Sequence, residues 1–220
     1  MRIRIILFFL LINVTNTFAQ TDADKEAYVK VITERAAKIT AVLGIENEAK
    51  ALKVTNIIRD QYSNLNDIHT SRDLKIKVIK EKNASNKAER DTLIAKETRA
   101  ANASLKKLHK KYISKLSSQL NADQIENVKN GMTYNVVPIT YKAYQEQILT
   151  LTEDQKKQIL TWLIEAREYA MDAETSDKKH AWFGKYKGRI NNYLSAAGYD
   201  LKKEGVEWEK RRKAAAAAKN

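Results

Sequence analysis

The stretch LTEDQ at positions 151–155 carries the features of a helix start. Thr152 can accept a hydrogen bond from an orphan amide of the first turn, and Gln155, three residues later, can return the bond. The acidic residues between them suit the positive end of the helix dipole. The stretch LNADQ at positions 120–124 repeats the pattern with Asn121 as the capping residue. Both stretches therefore predict a capping box at the start of a helix.

Helical patterns continue on both sides of these two starts. Apolar residues recur at a spacing near 3.6 from Ala27 to Val42, and Gly44 suits the position just past a helix end. The 220 residues include six Gly and one Pro, too few turn formers for a sandwich, a barrel or a propeller. We therefore predict an all-α fold, a multi-helix bundle. The further helices begin near Glu46, cover 159–173 and 178–197, and start again at Leu201.

One region of the bundle differs in composition from the rest. Residues 70–111 contain no Gly or Pro, are rich in Lys and Arg, and carry only a thin apolar stripe. Such a pattern is typical of a long exposed helix, or of a helical hairpin with a solvated face. The bundle is therefore predicted to include one long basic helical hairpin region.

The segment MTYNVVP at positions 132–138 interrupts the helical pattern. Gly131 precedes it, and Pro138, the one proline of the chain, ends it. Its β-branched residues next to a proline predict an extended segment between two helices. Because functional residues are often carried on loops, Tyr134 becomes a candidate contact residue.

The N-terminus has the pattern of a secretory signal peptide. Arg2 and Arg4 precede an apolar run at positions 5–12, and a small-x-small cleavage pattern ends at Ala19. We expect an exported protein, soluble in the periplasm or outside the cell, without stable membrane insertion. The expected organisation is a signal peptide over 1–19, a helical domain over 20–213 and a fraying alanine-rich tail over 214–220.

The composition also excludes several kinds of site. There is no cysteine, so disulfides, cysteine-ligated zinc and cysteine nucleophiles are absent. The three histidines lie far apart in sequence, at His69, His109 and His180, without metal-ligand spacing. We therefore expect neither a metal site nor a cofactor.

The charge of the chain points to an anionic partner. The formal net charge of +13 falls to +11 when Arg2 and Arg4 leave with the signal peptide. Nucleic acid is the usual partner of a basic protein, but export argues against nucleic acid here. An acidic polysaccharide or oligosaccharide met outside the cytoplasm fits the charge better. The helical pattern leaves open whether the chain forms a homodimer.

The stretch KKHAWFGKYKGRINNY at positions 178–193 holds the candidate binding residues. Gly184 and Gly188 each cost about 1 kcal/mol relative to Ala inside a helix, so we expect a neighbouring backbone or a ligand to approach them closely. Aromatic rings can stack on sugar faces, while Arg and Asn donate to hydroxyls or carboxylates. The alternative is that the rings belong to the core and the charges face water. The candidate contact residues are Tyr134, His180, Trp182, Lys185, Tyr186, Arg189, Asn191 and Asn192.

Two catalytic alternatives stay open, and catalytic residues stay unassigned. Carboxylates crowd the end of one helix, where a pair could serve glycoside hydrolysis. Tyr134, His180 and nearby cations could instead support β-elimination from a uronate. No nucleophile elbow or phosphate-binding loop accompanies either arrangement. The crowded carboxylates are Glu165, Glu168, Asp172 and Glu174.

The sequence resembles the domain-of-unknown-function family numbered 3826. The likeness runs from YNVVP at 134–138, through EARE at 165–168, to KHAWFGKYKGRINNY at 179–193, within about residues 25–212. The family consists of secreted proteins of polysaccharide-degrading Gram-negative bacteria and is regarded as sugar-binding. The resemblance implies an accessory protein for acidic, pectin-like polysaccharide, and it implies no catalytic residues.

A second resemblance rests on the LTEDQ stretch alone. It matches the L-T-x-x-Q motif of periplasmic stress chaperones of the Spy and CpxP type, which are small, basic and helical. Since the motif is a capping box, unrelated helical proteins can acquire it independently. The leading hypothesis is therefore a carbohydrate-binding protein, with a helical periplasmic chaperone and a uronate polysaccharide lyase as the alternatives.

Overall fold

The computed structural model of the chain describes residues 22–218, and within this range the fold is all-α. The predicted signal peptide lies outside these residues. The eight helices of the described range are α1 (Asp22–Ala41), α2 (Glu48–Lys82), α3 (Lys87–Ser117), α4 (Ala122–Met132), α5 (Val136–Gln147), α6 (Glu153–Met171), α7 (Ser176–Ala196) and α8 (Leu201–Ala217).

Local capping signals set most of the helix starts. Both predicted capping boxes are confirmed: Asn121 with Gln124 begins α4, and Thr152 with Gln155 begins α6. Gly44 has the positive φ that suits a residue just past a helix end. Side chains that accept an amide hydrogen bond also begin four other helices, at Asn47, Asn86, Thr175 and Asp200.

Helices α1 to α4 pack around one hydrophobic cluster. α2 and α3 pair as a hairpin, and α1 and α4 cover the base of that hairpin. Beyond His69 on α2 and before Ala101 on α3 no residue is buried, so the outer part of the hairpin is an exposed arm. The predicted long basic hairpin is therefore confirmed. The buried side chains at its base include Ala36, Ile58, Tyr112, Leu116, Val128 and Met132.

A second cluster lies between α5, α6 and α7, and α8 packs against α5 and α7. The two halves of the molecule meet where α4 packs against α6. There the Arg167 guanidinium, only 1% exposed, donates to Asn130 at 2.7 Å and to Glu126 at 2.6 Å. These bonds join α6 to α4 across the boundary between the clusters.

The segment 132–138 differs from its prediction. α4 ends at Met132, and α5 already begins at Val136, so the extended segment is absent and a tight turn replaces it. Pro138 lies in the first turn of α5, where its missing N–H is tolerated. Tyr134 and Asn135 make the turn with left-handed backbone, at φ values of 59° and 55°.

The C-terminal helix α8 includes part of the alanine-rich tail. α8 ends at Ala217, so the alanines at 214–217 are in regular helix. No helix among residues 22–218 is both long enough and apolar enough to span a membrane.

Candidate functional site

Helices α6 and α7 form a hairpin that presents a row of aromatic and charged side chains. Both helices bury one apolar stripe, with Leu163 on α6 and Phe183 and Ile190 on α7 among its members. Since side chains advance about 100° per residue, the residues beside these stripes line the groove between the two helices. We call the following set the aromatic row: Trp162, Glu165 and Tyr169 of α6, with Trp182, Lys185, Tyr186, Arg189 and Tyr193 of α7.

Ring contacts across the two helices hold the row together. Tyr169 stacks on Trp182 with centroids 4.5 Å apart and planes at 16°, and it lies 6.4 Å from Tyr186. Further along, Trp162 meets Tyr193 edge to face at 5.3 Å. Offset stacking and edge-to-face contact are the favoured geometries of aromatic pairs. The rings are thus fixed by one another, while Tyr169 remains 48% exposed.

Two cations of the row lie over tryptophan rings. Lys185 Nζ is 5.3 Å from the centroid of Trp182, and the Arg189 guanidinium carbon is 4.4 Å from the centroid of Trp162. Both distances are within the range of a cation–π interaction. The two cations are one helical turn apart on the exposed side of α7. They are therefore held in place while their charge stays available to solvent.

Glu165 provides the acidic group of the row. Its carboxylate is 3.8 Å from Arg189, and both side chains are about half exposed. Burial raises the pKa of Tyr186 to about 12, and its hydrogen bond to Glu165 acts in the same direction. Tyr186 is itself only 6% exposed, so it supports the row from beneath and keeps its hydroxyl proton.

The structure divides the predicted contact residues among different places. Trp182, Lys185, Tyr186 and Arg189 share the aromatic row. Around α7 the other candidates lie roughly 80–180° away from Trp182. His180 stacks on Tyr134 at 5.3 Å, Asn191 accepts a hydrogen bond from Tyr144 at 2.7 Å, and Asn192 is exposed.

Sequence reasoning missed Trp162 and Tyr169 as members of the row. They are seven residues apart on α6, two helical turns, which places them on one face. This seven-residue spacing is the sequence feature that could have placed the two rings in the row. The predicted close approach at Gly184 and Gly188 is wrong for protein backbone, since a Cβ at either position would meet no atom of the described residues within 4 Å. The other part of the prediction, that a ligand approaches these two glycines closely, stays a prediction.

Tyr134 lies at the rim of a cavity of about 250 Å³ between α1, α2, α7 and the α4–α5 turn. Lys179 reaches this cavity from α7, and its Nζ donates to the Ala170 and Met171 carbonyls at 2.9 and 3.0 Å. Burial lowers the pKa of Lys179 to about 8; Asp172 opposes this change and Arg35 adds to it. We call this space the basic cavity; its lining includes Arg35, Lys38, Tyr62, Gly131, Tyr134 and Lys179.

A family model described as a protein of unknown function, DUF3826, matches residues 29–214. The chain belongs to this family. No curated protein matches the sequence. The family resemblance predicted from the sequence is thus confirmed, and the DUF3826 match covers α2 to α7 completely, with most of α1 and α8.

All four crowded carboxylates of this DUF3826 protein are engaged in ion pairs, Glu165 with the exposed Arg189. Glu168 and Asp172 bind His109 at 3.2 and 3.0 Å, and Glu174 pairs with Arg72. Glu165 is the member of the four that lies on the aromatic row. No group of acidic and histidine side chains among residues 22–218 has the arrangement of a metal site.

Proposed function

We propose that this DUF3826 protein binds acidic polysaccharide along the aromatic row. The observation that carries the proposal is the pair of ring-held cations, Lys185 and Arg189, one turn apart on an exposed helix face. The rings position both cations without neutralising them. Lys185 has no carboxylate partner among the described residues, and the pair of Arg189 with Glu165, at 3.8 Å and about half exposed on both sides, is weak enough for a ligand carboxylate to compete. Carboxylates of successive uronate units can therefore meet both cations.

The exposed ring of Tyr169 adds the second requirement of sugar binding. Tyr169 is 48% exposed and is fixed between Trp182 and Tyr186, so ordering it on binding costs little side-chain entropy. Fixed rings and charged donors favour a ligand with both apolar faces and anionic groups. An acidic pyranose polymer combines the two, whereas a neutral glucan lacks the charge.

The test is affinity electrophoresis of the folded protein through gels with polygalacturonate, a neutral glucan, or no polymer, at two salt concentrations. Replacing both ring-held cations, as K185Q/R189Q, should weaken retardation by polygalacturonate about tenfold, the equivalent of about 1.4 kcal/mol. The control K77Q/K80Q removes the same charge from exposed positions of the arm and should keep wild-type retardation.

The salt dependence of the retardation distinguishes binding at a shaped site from attraction by net charge. Retardation that survives moderate salt in the wild type supports the proposal, because close pairs in a partly desolvated site are screened less than distant charges. Equal loss of retardation in K185Q/R189Q and K77Q/K80Q would contradict it. Retardation by the neutral glucan would contradict the assignment to acidic polymers.

A uronate lyase remains a second candidate because Tyr134 and His180 stack at the rim of the basic cavity. In such a reaction a base removes the proton α to the uronate carboxylate, and the glycosidic oxygen at C4 leaves with the bonding pair. The product carries a C=C bond conjugated with the carboxylate and absorbs in the ultraviolet. Rising absorbance in tubes with polygalacturonate would support this candidate, and constant absorbance would contradict it.

A helical chaperone is the third candidate, and the arm provides the relevant observation. Leu74 and Val78 are 60% and 44% exposed on the basic hairpin, where they could contact an unfolded client. Suppression of aggregation of a denatured client at near-stoichiometric amounts would support this candidate. An unchanged aggregation rate would contradict it.

A further inference from the structure

We infer that the basic cavity is a binding site for a small sugar acid, a carboxylate carried on a body the size of one pyranose ring. This site is separate from the aromatic row and stands whether or not the row binds polymer. Three cations line the cavity, Arg35 and Lys38 from α1 and Lys179 from α7, and no carboxylate side chain lines it.

The concentration of positive charge without a counterion is the first argument. Arg35 and Lys38 form no ion pair with any described residue. The charge of Arg35 disfavours the charged form of Lys179. Asp172, the acidic group that favours that charged form, is bound to His109 and does not line the cavity. An anion in the cavity would relieve this repulsion, and none of the side chains around it supplies one.

The donors around the cavity are the second argument. Lys179 is 94% buried, and its ammonium has three hydrogens, of which two bind the carbonyls at the end of α6. Burial raises the pKa of Tyr62 to about 12, so its hydroxyl stays protonated beside Arg35. Neither the Tyr62 hydroxyl nor the Tyr134 hydroxyl has a partner among the described residues. The site therefore offers one buried N–H and two hydroxyls in addition to the exposed cations Arg35 and Lys38.

The backbone of the turn is the third argument. Tyr134 has a left-handed φ of 59°, a backbone conformation that is strained for an aromatic residue. In this conformation its ring lies at the cavity rim, stacked on His180. At the opposite wall, Gly131 lets α4 approach Ile39 of α1, since a Cβ there would lie 2.9 Å from the Ile39 side chain. The space of about 250 Å³ between these residues is below the roughly 300–1,000 Å³ of pockets for drug-sized ligands, so a ligand here must be small.

The experiment is isothermal titration calorimetry of the folded protein with galacturonate, with glucose and inorganic phosphate as the comparison ligands. Galacturonate should bind saturably, glucose should not bind, and phosphate should bind at least about tenfold more weakly, because it lacks the ring. Absence of saturable galacturonate binding would overturn the inference, and so would equal affinity for phosphate.

Two variants separate the cavity from general charge. R35Q/K38Q removes two exposed cations at the cavity and should weaken galacturonate binding at least about tenfold. The control K30Q/K53Q removes two exposed cations elsewhere on α1 and α2 and should keep wild-type binding. R35Q/K38Q should keep wild-type retardation by polygalacturonate, which the aromatic row is proposed to bind, so failure of the cavity and failure of the aromatic row are distinguished by two different measurements.

The variant Y134G tests whether the strain serves the site. Glycine accepts the left-handed backbone, so the melting temperature should be equal to or higher than that of the wild type, while galacturonate binding falls at least about fivefold. A variant that melts lower and binds normally would show that Tyr134 is structural, and it would overturn the assignment of Tyr134 to the site.

Discussion

At the scale of single residues, His109 of α3 forms ion pairs with two carboxylates at the end of α6. Its Nδ1 is 3.0 Å from Asp172 and its Nε2 is 3.2 Å from Glu168. Hydrogen bonds that His109 donates to these two carboxylates raise its pKa to about 9. Burial acts to raise the pKa of Glu168, but His109, Lys129 and Arg167 outweigh it and lower that pKa to about 2. An ion pair therefore bridges α3 and α6 over the neutral range.

The ion pairs of His109 predict a specific pH dependence of the free energy of unfolding. An unfolded histidine has a pKa near 6.5, so the stabilisation by His109 should be complete below about pH 6.5 and lost as the pH rises through about 9. Urea titrations at about pH 6 and about pH 9.5 should show wild type losing on the order of 2 kcal/mol more than H109Q, after discounting for the exposed part of the ring. On the acid side, stabilisation by Glu168 should be present above about pH 4.5 and lost towards pH 2.

Comparison with a variant is needed because another group titrates in the same window. The pKa of Lys179 is lowered to about 8, so its burial penalty is relieved as the pH rises from about 8 to 10.5, which has the opposite sign. The difference between wild type and H109Q cancels this effect. H180Q serves as the control, since His180 stacks on Tyr134 and has no carboxylate partner in the described range. Equal pH profiles for wild type and H109Q would contradict the assignment.

At the scale of helices, a glycine inside α7 and a glycine in the last turn of α4 should respond in opposite directions to substitution by alanine. Glycine in a helix interior is less stable than alanine by about 1 kcal/mol, so G184A, on the exposed face of α7, should stabilise the protein by up to that amount. G131A gains the same propensity, but its Cβ would lie 2.9 Å from Ile39. Because α1 must move away from α4, we expect a net loss of about 1–2 kcal/mol.

Thermal unfolding of the two variants checks this prediction. The melting temperature of G184A should rise and that of G131A should fall, each by a few degrees. A G131A protein that is as stable as G184A would mean that Ile39 gives way without cost, and that α1 and α4 are not fitted as closely as the structure indicates.

Helix starts were predictable from sequence because their causes are local. Thr152 and Gln155 interact within four residues, so the pattern is visible in the sequence itself. The turn at Tyr134 was not predictable, since a bulky aromatic residue gives no signal for left-handed backbone. For the candidate sites the same distinction holds. Trp182 and Arg189 stood out in one stretch, whereas Arg35, Tyr62 and Lys179 come together only through packing of distant helices.

At the scale of the whole molecule, the chain consists of a packed body and a projecting arm. The two hydrophobic clusters belong to the body and are joined where Arg167 and Met171 of α6 meet the first four helices. The arm has no buried residue between positions 70 and 100, so its helices hold each other through partly buried side chains and contacts such as the pair of Lys75 with Glu97. Stability should therefore be unevenly distributed, with the arm opening before the body.

Removing the arm tests this division. Lys75 pairs with Glu97 across the hairpin, so Asp73 and Arg99 lie in equivalent positions, and a glycine-containing helix–helix loop of about five residues can replace residues 74–98. The deletion keeps Arg72 with its partner Glu174 and removes a net charge of +3, from seven basic and four acidic residues. Because no side chain of either cluster is lost, the truncated protein should unfold in one cooperative transition, within about 1 kcal/mol of the wild type.

The same deletion shows where an anionic polymer binds. If the aromatic row holds the polymer, the truncated protein should retain its retardation by polygalacturonate at moderate salt, since Lys185 and Arg189 are unchanged and distant surface charges are screened beyond about 8–10 Å. If the arm acts as a polycationic surface, retardation should disappear with it at every salt concentration. Loss of cooperative unfolding on deletion would contradict the division into body and arm, because it would show that the hairpin tip stabilises the base on which α1 and α4 pack.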